Sequence, residues 1–514
     1  MAPDTHQDDV IAFLARPETH GGGGAVVRID THISTVFLVG DRAYKLKRAI
    51  KFPYLDFSTA EQRRTACERE VVVNRRTAPK IYLGVVPVVR RADGALSLGG
   101  AGEAVDYVVE MRRFDDTMLL SRLAERGELS ADIAEAAAEA VAVFHRIAEP
   151  TPDFGGAAGL RATIEGNGAS FAALSPGILD ADRIAAIQRA CLDRVGRLDA
   201  LLDRRRQAGL VRHCHGDLHL ANICLIDGKP TLFDAIEFSD ALANIDILYD
   251  FAFFLMDMAM RGLPRQSNAA FNRYLEIDED FEGLAALPLF LATRAAIRAH
   301  VAAAAAERDG AATSRVQARD YLAFGLALLE ARPPVMMAVG GLSGTGKSTV
   351  ARALAPRVGA SPGAVILRSD VLRKRLAGAP PLARLSADRY TPERSREVYA
   401  GLAARARRVL AAGHAVIVDA VSARPDERAL LESVAAEAGV KFVGLWLEAP
   451  TDVLRARVSA RRGDASDATP EVVDRQVLYR LGEMEWRRLD ARLPIDRLAA
   501  LAVQAIGGSD TPSD

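Results

Sequence analysis

Residues 341–348, Gly-Leu-Ser-Gly-Thr-Gly-Lys-Ser, constrain this chain more than any other stretch. They match G-x-x-x-x-G-K-[ST] and stand between the apolar run VMMAVGG and a helix-forming run. That order requires a strand, a glycine-bent turn and a helix N-terminus, where backbone N–H groups can wrap a phosphate. Gly341, Ser343, Gly344, Thr345, Gly346, Lys347, Ser348 and Thr349 are therefore the candidate nucleotide contacts, with Lys347 for the terminal phosphates and Ser348 for Mg²⁺. Downstream, AVILRSD, HAVIVDA and KFVGLWLEAP alternate with helical stretches, which predicts a parallel sheet covered on both faces. HAVIVDA carries Asp419 at the end of its apolar run, placed to hold the metal or its waters; a strand-end or capping aspartate is the alternative.

At 514 residues the chain is too long for one ordinary core. Arg332-Pro333-Pro334 breaks a helical pattern just before the first of these strands, so the boundary is expected near 333, with domains at 1–332 and 333–514. Between about 24 and 113 the pattern predicts three strands, a helix and two strands, with Gly40-Asp41-Arg42 at hairpin spacing. From roughly 117 to 331 it is helical, apart from short strands near 211–234.

Those short strands carry a second constellation, RHCHGDLHLANICLIDGKPTLFDAIEF, residues 212–238. Asp217 and Asn222 stand five apart, the spacing of the kinase catalytic loop H-R-D-x-x-x-x-N, and Asp234 follows the turn Asp227-Gly228-Lys229-Pro230. Phosphoryl transfer to a hydroxyl needs a carboxylate at the attacking oxygen, metal ligands at the phosphates and a lysine on the α- and β-phosphates. This segment offers the first two.

The segment HCHGDLHLANIC…LFDAIEF resembles the catalytic motif of the aminoglycoside phosphotransferase and choline kinase branch of the protein-kinase-like fold. The resemblance implies Asp217 as catalytic base, Asn222 and Asp234 as Mg²⁺ ligands, and His215 as structural support. RAYKLKR resembles the kinase V-A-I-K strand, which implies Lys45 rather than Lys47 as the ATP contact, although both lie on one strand face. Glu68 and Glu70 compete for its ion pair, and Glu70 is preferred. DYVVEMRRF fits the hinge strand, with Glu110 and Met111 near the adenine. No glycine-rich loop precedes Lys45, so DTHIST is left to cover the phosphates, with Ser34 as candidate contact. The departure is Ala-Ile-Glu after Asp234, where Glu237 is either an extra metal or substrate contact or a surface acid.

Over about 335–500 the chain resembles P-loop kinases of the gluconate kinase, chloramphenicol phosphotransferase and zeta-toxin type. This implies Asp370, at the end of LRSD, as candidate base and Arg373 as a substrate or phosphate contact, with helix capping by Asp370 the alternative. Arg457 and Arg461 in LRARVSARRGDASDA are four apart and expected on one helical face, like the lid arginines that stabilise a transferring phosphate. A solvated basic face is the alternative there.

The expected fold is therefore a bilobal protein-kinase-like α+β domain followed by a P-loop NTPase domain with a parallel α/β sheet. Each is expected to use ATP and Mg²⁺ on a small-molecule hydroxyl acceptor. A second reading makes the first domain a non-catalytic ligand-binding module coupled to a P-loop ATPase. Lys+Arg 66 against Asp+Glu 67 leaves a formal charge of −1, so no global field argues for a nucleic-acid or membrane partner. Cys67, Cys191, Cys214 and Cys224 form no CxxC pair and read as reduced thiols, Cys214 and Cys224 as small buried hydrophobes. The start, MAPDTHQDDVIAFL, lacks a basic region before an apolar core, and the Ala-rich tracts at 131–144 and 299–306 read as packed helices. A cytoplasmic location is expected.

Overall fold

The computed structural model describes residues 5–22, 24–52, 55–380, 382–461 and 465–507. The chain divides into two compact units, Met1–Thr163 with Asp199–Asp257, and Ile164–Leu198 with Met258–Asp514. The sequence pattern changes at 333, where the strand Val335–Gly341 follows the prolines. The compact units divide elsewhere, because the helical segment from Met258 to Leu328 groups with the P-loop sheet.

The first unit holds a six-stranded antiparallel sheet, in the order Val27–Asp30, Ser34–Val39, Arg42–Lys47, Glu103–Arg112, Tyr82–Arg90 and Leu96–Leu98. Pairing of Val39 with Arg42 leaves a two-residue turn, Gly40-Asp41. Alternation sends Phe37, Leu46, Val88 and Val108 to one face, where they pack with Val10 and Leu14. Val109 and Tyr82 face the other way, onto Cys67 and Val71 of the helix Ala60–Arg75. That helix starts with a capping box between Thr59 and Gln62. Its buried positions include Arg63, Ala66, Cys67, Glu70, Val71 and Asn74, a stripe at three- and four-residue spacing that brings Glu70 and Asn74 inward. The short strand Leu96–Leu98 and the pair Lys51–Phe52 with Leu55–Asp56 were not expected.

Lower in this unit, Ile223–Ile226 pairs with Lys229–Leu232. Asp227 (φ 51°) and Gly228 (φ 73°) form the turn between them. Two positive φ values in a two-residue loop make a type I′ turn, which suits the twist of the flanking strands. Val211–His213 pairs with Asn244–Asp246.

The second unit contains a five-stranded parallel sheet, in the order Val365–Arg368, Val416–Asp419, Val335–Gly341, Lys441–Glu448 and Arg487–Asp490. The P-loop follows the central strand, whose apolar run is buried from Met336 to Gly341. Arg487–Asp490 escaped the sequence reading because RRLD buries only Leu489 and has no apolar run. At the opposite edge, the helix Pro264–Asp278 substitutes for a sixth strand. Asn272 Oδ1 accepts from Ile366 N at 2.7 Å, and its Nδ2 donates to the Ala364 carbonyl at 3.2 Å. Asn268 Nδ2 adds bonds to the Pro362 and Ala364 carbonyls, each at 3.1 Å.

Among the described residues, the helix Leu287–Asp309 is long and apolar enough to cross a membrane, but 67% of its most apolar window is buried inside the protein. All four cysteines are buried, and none is joined in a disulfide.

Candidate functional site

In the first unit, the helix stripe and the strand phase converge on a buried charge cluster. Lys45 Nζ lies 2.8 Å from Glu70 Oε1 and 2.5 Å from Asp234 Oδ1. Lys47 Nζ lies 2.5 Å from Glu70 Oε2 and also pairs with Glu237. Glu70, not Glu68, meets the lysines, because only Glu70 is on the buried helical face; Glu68 pairs with Arg64 in solvent. Exposure separates the lysines. The Lys45 side chain is 12% exposed and meets Asp234, whereas Lys47 is sealed at 0%. Burial acts to lower the Lys45 ammonium, but Asp234 and Glu70 outweigh it and hold its pKa well above the ordinary value. Burial likewise acts to raise Glu70, and the two lysines reverse it, holding this carboxyl below the usual range.

The HGD segment is pinned from beneath by Asp250, which the sequence reading missed inside the apolar run YDFAFFL. Asp250 Oδ2 accepts from His215 N at 3.0 Å, and Oδ1 from Gly216 N at 2.9 Å. His145 is buried as well, and its Nε2 lies 3.1 Å from the same carboxylate. Gly216 has φ 83°, and a Cβ there would come within 2.9 Å of the Leu242 carbonyl, so the loop needs glycine. His215 Nε2 lies 2.9 Å from the Phe233 carbonyl, tying the HGD segment to the strand that precedes Asp234. Burial lowers the His215 pKa.

Asn222 donates from Nδ2 to the Asp217 backbone carbonyl at 2.9 Å and to Asp217 Oδ2 at 3.1 Å. Asp234 takes the left-handed φ of 61°, which a short polar side chain tolerates. Its backbone N–H donates to the Tyr82 hydroxyl at 3.1 Å, and the next, Ala235 N, to Asn74 Oδ1 at 2.8 Å. One helix therefore positions Glu70 for the lysines and Asn74 for the chain after Asp234. Asp217 and Asp234 themselves are open, with side chains 39% and 42% exposed.

Two expectations change here. Ser34 is fully buried inside its strand, paired in register with Lys47, and so is not offered to a phosphate; the tight turn at Thr31 and Ser34 turns it inward. Glu237 is no surface acid: it is 4% exposed and held by Lys47.

In the second unit, Gly341 and Gly344 carry positive φ values of 141° and 89°. A Cβ at either would meet a backbone carbonyl, Leu447 at 2.7 Å or Leu454 at 2.6 Å. Ser343 N donates to Gln476 Oε1 at 2.8 Å, Thr345 Oγ1 to the Leu342 carbonyl at 2.8 Å, and Lys347 Nζ to the same carbonyl at 3.2 Å. Gly346 caps the helix Lys347–Leu354, with Ser348 and Thr349 in its first turn. Ser348 Oγ donates to Asp419 Oδ2 at 2.5 Å. A hydroxyl and a carboxylate converging in this way are hard oxygen donors of the kind Mg²⁺ takes, as are Asp234 and the Asn222 amide oxygen in the first unit.

Asp370 is not at a strand end. The strand stops at Arg368, and Asp370 lies in the first turn of the helix Ser369–Leu376, whose N-cap is Arg368, so Asp370 is not the capping residue. Burial raises its carboxyl above the usual value against the pull of Lys347. Arg373 donates to the Arg389 carbonyl at 2.8 Å and stacks over Tyr390 at 4.8 Å. Asp467, absent from the sequence reading, gathers Lys374 Nζ at 3.2 Å, Leu385 N at 3.0 Å and the Tyr390 hydroxyl at 2.6 Å. The shared face expected for Arg457 and Arg461 does not form: the helix Thr451–Ala460 ends first, and Arg461 takes extended backbone at φ −64°, ψ 138°. Arg457 donates to the Ala491 carbonyl at 3.0 Å. The next residues of that basic stretch, 462–464, lie outside the described residues.

A family model described as the phosphotransferase enzyme family matches residues 27–287, more than half of the chain. The chain belongs to the phosphotransferase enzyme family. The match takes in Lys45, Glu70, Asp217, Asn222 and Asp234. A second model, described as an AAA domain, matches residues 336–480 of this phosphotransferase, including the P-loop, Asp370 and Asp419.

An uncharacterised protein of Mycobacterium tuberculosis (strain ATCC 25618 / H37Rv) is 32% identical over 452 residues, 86% of this chain and 88% of its own. An adenylyl-sulfate kinase of Myxococcus xanthus is 35% identical over 117 residues, 23% of this chain and 59% of its own. Among solved structures, a choline/ethanolamine kinase family protein from Mesorhizobium loti is 16% identical at a TM-score of 0.39, covering 63% of the phosphotransferase and 95% of that chain. A gluconokinase from Sinorhizobium meliloti 1021 is 23% identical at a TM-score of 0.25, covering 34% and 93%.

Proposed function

We propose that this phosphotransferase has two nucleotide sites, each transferring the γ-phosphate of ATP to the hydroxyl of a small molecule in the cytoplasm, with no nucleic-acid or membrane partner. The observation that carries the reading is a contrast in exposure. Asp217 and Asp234 are open to solvent, while the groups that fix them, Glu70, Asn74, His215 and Asp250, are buried. Functional carboxylates on rigid, buried supports are what in-line transfer requires, since catalysis there is positioning and electrostatics.

At the first site, Lys45 binds the α- and β-phosphates and is oriented by Glu70; Asn222 and Asp234 hold Mg²⁺; Asp217 takes the acceptor's proton. At the second, the amides of Gly341–Ser348 and Lys347 bind the phosphates, Ser348 and Asp419 hold Mg²⁺, and Asp370 takes the proton. When bound, Mg²⁺ neutralises charge on the β- and γ-phosphate oxygens.

The burial of Ser34 and the lack of glycine in the turn at 31–33 between the first two strands favour a second reading, in which the first domain binds a ligand without transferring phosphate to it and reports to a P-loop ATPase. Asp217→Ala and Lys347→Ala, assayed separately for ATP turnover and for phosphorylation of a metabolite panel, distinguish the two. Loss of one set of products in Asp217→Ala supports transfer at the first site; transfer left wholly intact in that variant rejects it.

A further inference from the structure

Arg368 has no role in the reading so far. It is the last residue of the strand Val365–Arg368, and the parallel register pairs it directly with Asp419. Its guanidinium lies 3.5 Å from Asp419 Oδ2 through Nε and 3.4 Å from Ser348 Oγ through one terminal nitrogen. The side chain is only 10% exposed. Two residues on, Asp370 is close enough to feel the charges of both Arg368 and Lys347. One largely enclosed cation thus lies beside the candidate metal pair and within electrostatic range of the candidate base.

We propose that Arg368 is a catalytic residue of the P-loop site, the guanidinium that binds the phosphoryl group during transfer. This rests on the reading of that site as a kinase centre. A divalent cation at Ser348 and Asp419 would repel the guanidinium from Asp419. A phosphate at the loop is an anion whose oxygens the planar fork of an arginine matches. In the transfer, the acceptor oxygen forms a bond to the γ-phosphorus and the bond from that phosphorus to the bridging oxygen breaks. The electron pair leaves with ADP, the acceptor's proton goes to Asp370, and Arg368 meets the charge on the moving group.

Arg368 is also better placed for this than Arg457, which is exposed and directed to the Ala491 carbonyl. A residue at the end of a buried parallel strand needs no ordering at the moment of reaction.

The test is calorimetric titration of the full chain with MgATP and with MgADP. The P-loop component is defined as the binding removed by Lys347→Ala. In Arg368→Ala, the Kd of that component for MgATP rises about tenfold while that for MgADP stays within about threefold, as expected when a charge-assisted contact to the terminal phosphate is lost. Arg368→Lys keeps the charge and loses the fork, so it falls between; it also supplies the answer if Arg368→Ala does not fold. Arg457→Ala leaves the ATP-to-ADP ratio unchanged. An unchanged ratio in both Arg368 variants overturns the proposal, as does a ratio that responds to Arg457 instead. If Lys347→Ala removes no binding, the kinase reading of the P-loop fails and Arg368 falls with it.

Discussion

Lys45 Nζ donates to Glu70 Oε1 at 2.8 Å, while the other oxygen of the same carboxylate meets Lys47. One buried acid therefore bridges two lysines on a single strand face, with Asp234 and Glu237 supplying further negative charge. Glu70→Ala leaves both with reduced compensation in a largely buried cluster, and it should destabilise the first unit by about 3–5 kcal/mol. Urea unfolding followed by circular dichroism measures this. A loss below about 1 kcal/mol, the range of exposed pairs, would contradict the account.

The same pairing fixes a direction with pH. The folded-state pKa of Glu70 is held below its unfolded value of about 4.3. Its contribution is therefore fully present above that value and is lost as pH falls through the folded pKa. Urea midpoints measured from pH 7 downward should fall on acidification. Glu70→Gln should fall less steeply over that window, since it has no proton to take up there; identical slopes would contradict the assignment.

Asp250 holds the HGD backbone through both carboxylate oxygens. In Asp250→Asn, one acceptor becomes an NH₂ facing a backbone N–H, at a cost of about 2–4 kcal/mol for the groups left unsatisfied. Phosphoryl transfer that depends on Asp217 should fall at least about tenfold as the loop shifts, while nucleotide affinity at the P-loop stays unchanged. Equal loss at both sites would argue for global unfolding instead.

Asn272 completes the edge of the parallel sheet with two backbone hydrogen bonds. Asn272→Ala removes both and should cost the second unit about 1–3 kcal/mol. Hydrogen exchange at Ile366 N should rise selectively, because that amide loses its acceptor, with little change at Val416–Asp419.

Much of this arrangement is legible in the sequence. Strand–loop–helix order fixed the P-loop and its parallel sheet, and the spacing of Asp217, Asn222 and Asp234 identified the second constellation. Glu70 is preferred to Glu68 in the sequence, and the reason is the buried helical stripe it shares with Cys67, Val71 and Asn74. What stayed hidden depends on long-range packing. Asp250 and Asn272 carry no local signature, because their partners lie 34 and 94 residues away. Ser34 read as a loop contact, but strand pairing turned it inward. Arg461 shares a helical face with Arg457 only if the helix continues, and it stops at Ala460. The strand Arg487–Asp490 shows no apolar period, since an edge position requires only one buried side chain.

The central claim is that one chain carries two separate nucleotide sites, and the stoichiometry of MgATP binding tests it most directly. Calorimetric titration of the full chain should give two molecules bound per chain, falling to one in Lys347→Ala and, independently, to one in Asp234→Ala. A single site in the unaltered protein, or the loss of all binding through either substitution alone, would contradict it.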